Sequence, residues 1–430
     1  MNRLRGFVDL AFHAVEQTTN LIERTHDATA KRSVRRFAPI EPLATPANAV
    51  NSVQQGIASG VYWTIRTVNR GVHSVVGSGI DLLSTAAIAS SEDGAFELAT
   101  PLRSTSAGSF EWVVDYAQSA VTGLHGDWLS KNGNPLASTM HLRHEGRRLS
   151  IDEDAFRAAL GTPTSKLAVF VHGLSSTEWM WTFRAEDYYG DPSACFGNRL
   201  REDHGYTPIY VRYNTGLHIS ENGRLLSNLL ADVLEAYPVE VDTIALIGHS
   251  MGGLVSRSAA HYGDVHEQPW TPKLRHVVSL GAPHLGAPLE KAVNLTAGAL
   301  RFFETTATHV ISELLNSRSA GIKDLRFGYT TDEEWLDQDP DAVLHDRRAD
   351  ARLLDHVGYY FVGATISRDP AHPLGHLIGD LLVRLPSAAG HHPEPVRRIP
   401  FHSGEILGGL SHVQLANHPT VYEALQQWIQ

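Results

Sequence analysis

The chain has 430 residues, 42% of them hydrophobic and 19% charged, with a net charge of −11, which is globular composition at a length that calls for one large domain plus an appendage. The acidic balance argues against duplex nucleic acid as a partner, because phosphate binding relies on Lys and Arg, and no apolar run approaches the ~20 residues needed to cross a bilayer. The single cysteine, Cys195, excludes an internal disulfide and a cysteine-built metal cluster and fits a reducing compartment.

In chain order, Arg3 and Arg5 open a segment in which Asp9, His13 and Glu16 interrupt what would have to be an uncharged leader core, so export is not expected and a cytoplasmic location is. Phe7, Leu10, Ala14, Val15, Thr18, Leu21 and Ile22 recur at helical spacing. A basic loop with Lys31, Arg32, Arg35 and Arg36 then runs into Pro39, Pro42 and Pro46. From Val50 the helical stripe resumes through Val53, Ile57, Val61, Ile65, Val68, Val72 and Val75, with Gly56, Gly60 and Gly71 suited to close packing. Residues 1–75 hold nine Lys/Arg against five Asp/Glu, about +4, which leaves about −15 on the remainder. Two readings follow: a helical hairpin docked on the rest of the chain, or peripheral contact with a membrane or lipid-granule surface through the apolar stripe. Residues 91–109 have the Ser, Gly, Ala and Thr composition of a linker, which divides the chain into 1–109 and 110–430.

Beyond the linker a helical run is expected from Trp112 to Leu129, followed by a strand hairpin, Met140–Arg143 and Arg147–Leu149, about Glu145–Gly146. Short β-branched or aromatic runs then alternate with helical periodicity: Leu167–Val171, Pro208–Tyr213, Thr243–Ile247, His276–Leu280 and Tyr359–Val362. That alternation implies α/β architecture, a mostly parallel central sheet flanked by helices.

The sharpest local signal is Ile244–Ala245–Leu246–Ile247–Gly248–His249–Ser250–Met251–Gly252–Gly253–Leu254, an apolar strand, a G-x-S-x-G turn and a helix. Such a turn forces its serine into a strained conformation that lifts the hydroxyl above the sheet, and the helix N-terminus behind it favours developing negative charge. A serine hydroxyl needs a base to take its proton and a third group to orient that base. His412, in Gly408–Gly409–Leu410–Ser411–His412 before a helix from about Pro419 to Trp428, is the expected base, with His402, His391, His392 and His418 competing. The acid should follow the strand Tyr359–Val362, and Asp380 is favoured over Asp369 because it sits in a Gly-Asp turn.

Ester attack creates an oxyanion that must be met by preplaced N–H donors. The amide of Met251 is one candidate and that of Leu174, after the strand that ends in His172–Gly173, is the other. Here Gly173 is expected to let the backbone turn an amide inward, and His172 to shape the loop by hydrogen bonding. With them, Trp179 and His249 are the candidate substrate-side residues, though core packing explains Trp179 and Trp181 as well. This chemistry calls for no metal and no organic cofactor.

With Ser250, the His172–Gly173 turn and Gly281–Ala282–Pro283–His284–Leu285–Gly286 in hand, residues 140–430 resemble the bacterial lipase/esterase branch of the α/β-hydrolase superfamily, a branch that also holds the glycosylphosphatidylinositol-deacylase-like hydrolases. The resemblance implies a lid after Gly286 and a triad acid in a Gly-Asp-Gly-Val type turn, from which Gly379–Asp380–Leu381–Leu382–Val383 departs at Leu381. The stretch Ala287–Leu354 is long for a connection, and Leu300, Phe302, Phe303, Val310, Ile311, Leu314 and Leu315 could line the underside of a lid or of a fixed cap.

The function expected is hydrolysis of carboxylic esters with medium or long acyl chains through an acyl-enzyme on Ser250. Thioester hydrolysis or acyl transfer by the same residues is the alternative within enzymes. From another class stands a lipid- or polymer-granule surface protein whose hydrolase part is secondary.

Overall fold

The computed structural model describes residues 107–133, 137–287, 319–336, 351–370, 379–380 and 382–430. The chain divides into two compact units, Met1–Ala117 and Gln118–Gln430. Of the first, only 107–117 are described, the opening turns of helix α1 (Ala107–Lys131). The two apolar stripes expected before residue 90 therefore lie outside the described residues. Among the described residues no helix is long and apolar enough to cross a membrane.

The second unit is built on an eight-stranded sheet of β1 (His141–His144), β2 (Arg147–Leu149), β3 (Lys166–Val171), β4 (Tyr206–Arg212), β5 (Thr243–His249), β6 (Leu274–Leu280), β7 (Gly358–Thr365) and β8 (Ser403–Gly408). Their order across the sheet is β2-β1-β4-β3-β5-β6-β7-β8, with β3 to β8 parallel and the β1–β2 hairpin joined antiparallel to β4. This is the α/β-hydrolase arrangement: a mostly parallel sheet with helices on both faces. The central strands are apolar without alternation because both of their faces are covered. In β3, Lys-Leu-Ala-Val-Phe-Val, every residue after Lys166 is buried.

Two separate apolar clusters show the two covered faces. On one, α2 (Glu153–Leu160), α5 (Ile219–Ala236) and α6 (Met251–Val265) pack through Phe156, Leu226, Leu230, Leu254 and Val255 onto Leu167, Val169 and Leu246. On the other, α4 (Phe196–His204) and α9 (Pro419–Trp428), with Trp181, pack through Phe196, Leu200, Tyr422 and Leu425 onto Phe170, Ile247 and Val278. Helices α5 and α6 approach so closely that a methyl group on Gly223 would overlap Ser258. Asp152 starts α2 by accepting the Ala155 N–H at 2.8 Å. The remaining short helices are α3 (Ala185–Tyr189), α7 (Ala320–Leu325) and α8 (Leu385–Ala388).

Within the stretch Ala287–Leu354, residues 288–318 and 337–350 lie outside the described residues, and with them the seven apolar side chains expected to face a lid. The described part is tied to its surroundings by hydrogen bonds. Ser319 Oγ donates to the Gly123 carbonyl and Ser258 Oγ to that of Thr330, each at 2.6 Å. Asp324 accepts the Ile219 N–H at 2.8 Å and the His218 ring at 3.0 Å, and the His218 ring stacks on Trp335. Glu334 accepts the Thr331 N–H at 2.7 Å, with burial pushing its carboxyl up to about 7.

Candidate functional site

The site lies at the carboxyl ends of the parallel strands, where β5 gives way to α6. Ser250 is the hinge, with φ 55° and ψ −122°, a left-handed backbone that a non-glycine residue adopts only under strain. The turn closes because its neighbours have no side chains. A methyl on Gly248 would come within 2.4 Å of the Gly252 carbonyl, and one on Gly252 within 2.1 Å of the Val171 carbonyl oxygen. The Ser250 N–H donates to the Leu280 carbonyl at 2.8 Å, and the Gly281 N–H to that of Val362 at 2.8 Å, so β5, β6 and β7 are laced together at this level.

His412 and Asp380 meet there although 32 residues separate them. The His412 ring Nδ1 is 2.7 Å from Asp380 Oδ2, and the His412 main-chain N–H donates to the Asp380 carbonyl at 3.0 Å. The other carboxylate oxygen of Asp380 accepts the N–H groups of Leu382 and Val383 at 3.0 and 2.8 Å. Both side chains are buried. Asp380 thus has all its acceptor sites directed, one oxygen to the backbone and one to the imidazole. Asp369 is placed otherwise, in a loop where its carbonyl accepts the Ser367 hydroxyl at 2.9 Å. Of the competing histidines, His418 caps α9 through the Thr420 N–H, His402 accepts the Tyr359 N–H at 3.1 Å, and His392 accepts that of Glu394 at 3.0 Å. His391 stands edge-on to Phe361 at 6.5 Å.

Contacts link the Asp380–His412 pair to the serine turn. Gly281 sits so close to the imidazole that a methyl there would lie 3.2 Å from both Cε1 and Nδ1 of His412. Gly281 is also the residue after Leu280, whose carbonyl holds the Ser250 N–H. From the other side, His249 places its ring Nε2 2.9 Å from the His412 carbonyl, with the two ring centres 4.7 Å apart. His249 is turned into the protein, 3% exposed, and its ring partner is the His412 loop.

The loop after β3 passes directly over the serine. A methyl on Gly173 would lie 3.0 Å from Ser250 Cβ and 3.1 Å from His249 Nδ1. Its backbone is not left-handed, so what glycine supplies here is space; the positive φ in this loop belongs to Ser175, at 52°. Leu174 follows, half-buried, and the Ser175 N–H donates to Thr215 Oγ1 at 3.2 Å. Met251, at the first position of α6, has an N–H with no acceptor inside the helix.

His172 is fully buried, stacked on Tyr213, with Nδ1 2.9 Å from the Gly173 carbonyl. Tyr213 in turn donates its hydroxyl to the His172 carbonyl at 2.7 Å, which fixes the root of the loop. Burial draws the His172 imidazole down to about 4 and that of His249 to about 3, so both are neutral through the neutral range and too weakly basic to carry a proton there.

Trp179 stands farther along, in a 3₁₀ turn Glu178–Thr182, where its ring faces Gly146 of the β1–β2 turn. Trp181 is in the core, edge-on to Phe170 at 5.0 Å. The packing alternative is thus observed for Trp181, and the described contact of Trp179 is with the hairpin. Between them and the sheet lies an arrangement that the sequence did not reveal: Glu178, buried, holds Arg143 of β1 at 2.8 Å and Arg212 of β4 at 2.8 Å. A carboxylate at the head of one tryptophan-rich turn, after Ser175–Ser176–Thr177, is a faint signal, and its partners come from strands 35 and 34 residues away. Among the described residues, no group of three or more His, Cys, Asp or Glu has the arrangement of a metal site.

Residues 172–337 match the family model described as PGAP1-like alpha/beta domain. No curated protein matches the chain. Among solved structures it is similar to the lipase BlEst2 of Bacillus licheniformis in propeptide form, at 15% identity and a TM-score of 0.40 over 63% of this chain and 52% of that one. It is also similar to phospholipase PlaB of Legionella pneumophila, at 17% identity and 0.38 over 62% and 60%, and to Staphylococcus hyicus lipase, at 14% identity and 0.36 over 63% and 95%. The chain thus spans between half and two thirds of the length of the first two.

Proposed function

We propose that this chain, an α/β hydrolase by its sheet and by its PGAP1-like segment, is a serine hydrolase of carboxylic esters in which Ser250 is the nucleophile, His412 the base and Asp380 the orienting acid. The observation that carries the reading is Ser250, held at φ 55° on the β5–α6 turn beside an imidazole whose Nδ1 is bonded to a buried carboxylate at 2.7 Å. Asp380 accepts the Nδ1–H of His412 and so leaves the lone pair on Nε2, the tautomer a general base requires. As Ser250 Oγ bonds to the ester carbonyl carbon, its proton passes to His412 Nε2. The carbonyl oxygen becomes an oxyanion, for which the amides of Met251 and Leu174 are the proposed donors.

Collapse of that intermediate expels the alcohol, which takes the proton from His412, and leaves an acyl group on Ser250. Water then attacks the acyl carbon with His412 again accepting a proton, which it passes to Ser250 Oγ as the acyl–oxygen bond breaks and the acid departs. Of the three histidines around the serine, only His412 has this partner geometry. His172 and His249 are held neutral by burial and spend their ring donors on main-chain carbonyls.

The test is labelling by a fluorophosphonate together with turnover of p-nitrophenyl esters of graded acyl length, with Ser250→Ala as control. Labelling of Ser250, turnover lost in the variant, and a preference for chains longer than acetyl are expected. A label on another residue, or unchanged turnover in Ser250→Ala, would overturn the assignment.

A further inference from the structure

Building on that reading, we infer that His249, the residue before the serine, is a positioning residue: its ring donates a hydrogen bond to the main-chain carbonyl of His412 and so ties the loop that carries the base to the turn that carries the nucleophile. The bond runs from Nε2 of His249 to the His412 oxygen at 2.9 Å. A carbonyl oxygen can only accept, so Nε2 carries the proton and Nδ1 the lone pair. That tautomer agrees with the surroundings of the ring. Nδ1 is buried without a protein donor, beside Gly173, where a methyl would come within 3.1 Å of it. Burial holds the imidazole neutral, so the link does not titrate in the range in which esterases are assayed.

His412 is held to its acid by two hydrogen bonds. Its N–H and its ring both reach Asp380, at 3.0 and 2.7 Å. Those two bonds hold the base to its acid, and the Leu410 N–H, two residues earlier, ties the loop to the Thr365 carbonyl at 3.1 Å, but none of them reaches the turn that carries Ser250. The His249 bond crosses the gap in the other direction. It originates one residue from the nucleophile, on a backbone already held by Gly248, Gly252 and the bond from Ser250 N–H to Leu280. Base and nucleophile are thereby referred to one rigid frame, and displacements of the order of 1 Å between reacting groups can cost about 100-fold in rate.

Three variants at position 249 test the idea in the full-length protein. Glutamine places an amide donor the same number of bonds from the backbone as Nε2, whereas phenylalanine and leucine fill the space without a donor. The readouts are the rate of fluorophosphonate labelling of Ser250, kcat and KM on one p-nitrophenyl ester, and the melting temperature. His249→Phe and His249→Leu should label and turn over about 10-fold to 100-fold more slowly with KM within about twofold, and His249→Gln should recover most of the loss. A merely structural role would instead track the melting temperature and would not separate glutamine from the other two. Nitrogen NMR of wild-type imidazoles adds a measurement that needs no variant: His249 should show the neutral Nε2–H form from pH 5 to 8. An Nδ1–H form, titration in that range, or equal labelling rates in all variants would overturn the inference while leaving Ser250 as nucleophile. Failure of the wild-type protein to label at Ser250 would overturn the proposed function and this inference with it.

Discussion

Replacing Asp380 by asparagine separates orientation from folding in a way that the local hydrogen bonds dictate. One oxygen of the carboxylate accepts two backbone N–H groups, from Leu382 and Val383, and the other faces His412 Nδ1. An asparagine must put its carbonyl oxygen where the two N–H groups need an acceptor, so its NH₂ is forced toward the imidazole. It then donates to Nδ1, which moves the histidine proton to Nε2 and removes the lone pair that Ser250 requires. The fold keeps its bonds while the base is inverted. A loss of about 10⁴ in kcat, roughly 5 kcal/mol of transition-state stabilisation, is expected with little change in melting temperature. Asp380→Ala should differ, since it removes the acceptor from the buried Val383 N–H, at about 1–3 kcal/mol, and from the part-buried Leu382 N–H, and should lose stability as well as activity. The assay is kcat on a p-nitrophenyl ester together with urea denaturation of both variants. Asparagine activity within tenfold of wild type would refute the orienting role of Asp380.

Ser250→Gly should be inactive yet more stable than wild type by about 1 kcal/mol in urea denaturation, because glycine takes φ 55° without the strain a side chain imposes; equal or lower stability would deny that the turn is strained. Glu178→Ala removes the carboxylate shared by Arg143 and Arg212 and should cost about 3–5 kcal/mol, read from the urea midpoint. The histidines give stability a pH dependence with a definite sign. Burial lowers His172 to about 4 and His249 to about 3 from 6.5, so the unfolded chain takes up protons first as pH falls. Each histidine should lower the unfolding free energy by about 1.4 kcal/mol per pH unit below pH 6.5, while Glu334, raised by burial from 4.5 to about 7, has the opposite slope between those values, so the net fall from these three groups is about 1.4 kcal/mol per pH unit from pH 6.5 toward pH 5. Urea titrations at pH 7.5, 6 and 5 check this, and a constant midpoint would contradict it.

What could be read from the chain followed from how local each feature is. The serine turn is written in the eleven consecutive residues Ile244–Leu254, so strand, bend and helix are all expected, and β3 to β7 show themselves as apolar runs. Strand β8, Ser-Gly-Glu-Ile-Leu-Gly, was not foreseen. It lies at the sheet edge with half-exposed residues and two glycines, and carries neither the continuous apolar run nor the alternation that marks a strand. The pairing of Asp380 with His412 was expected from chain order, but what fixes it, the backbone donors of Leu382 and Val383, depends on the turn conformation that begins at Gly379, whose φ is +61°. The inward face of His249 and the Arg143–Glu178–Arg212 cluster were beyond reach for one reason: their partners are brought near by strand order across the sheet, which periodicity does not encode. His218 and Asp324 are a similar case, 106 residues apart in sequence and 3.0 Å apart in space.

The proposed base follows one of the two edge strands of the sheet. β8 is hydrogen-bonded on one side only, to β7, from Tyr360–Ser403 to Thr365–Gly408, and His412 follows four residues after its last pair. Outer strands fray at lower free energy than the interior of a sheet, so heat or denaturant should disarm this molecule by peeling one margin while its centre still stands. Tolerance to temperature would then be a property of the six residues of β8, and reinforcing them would extend working life.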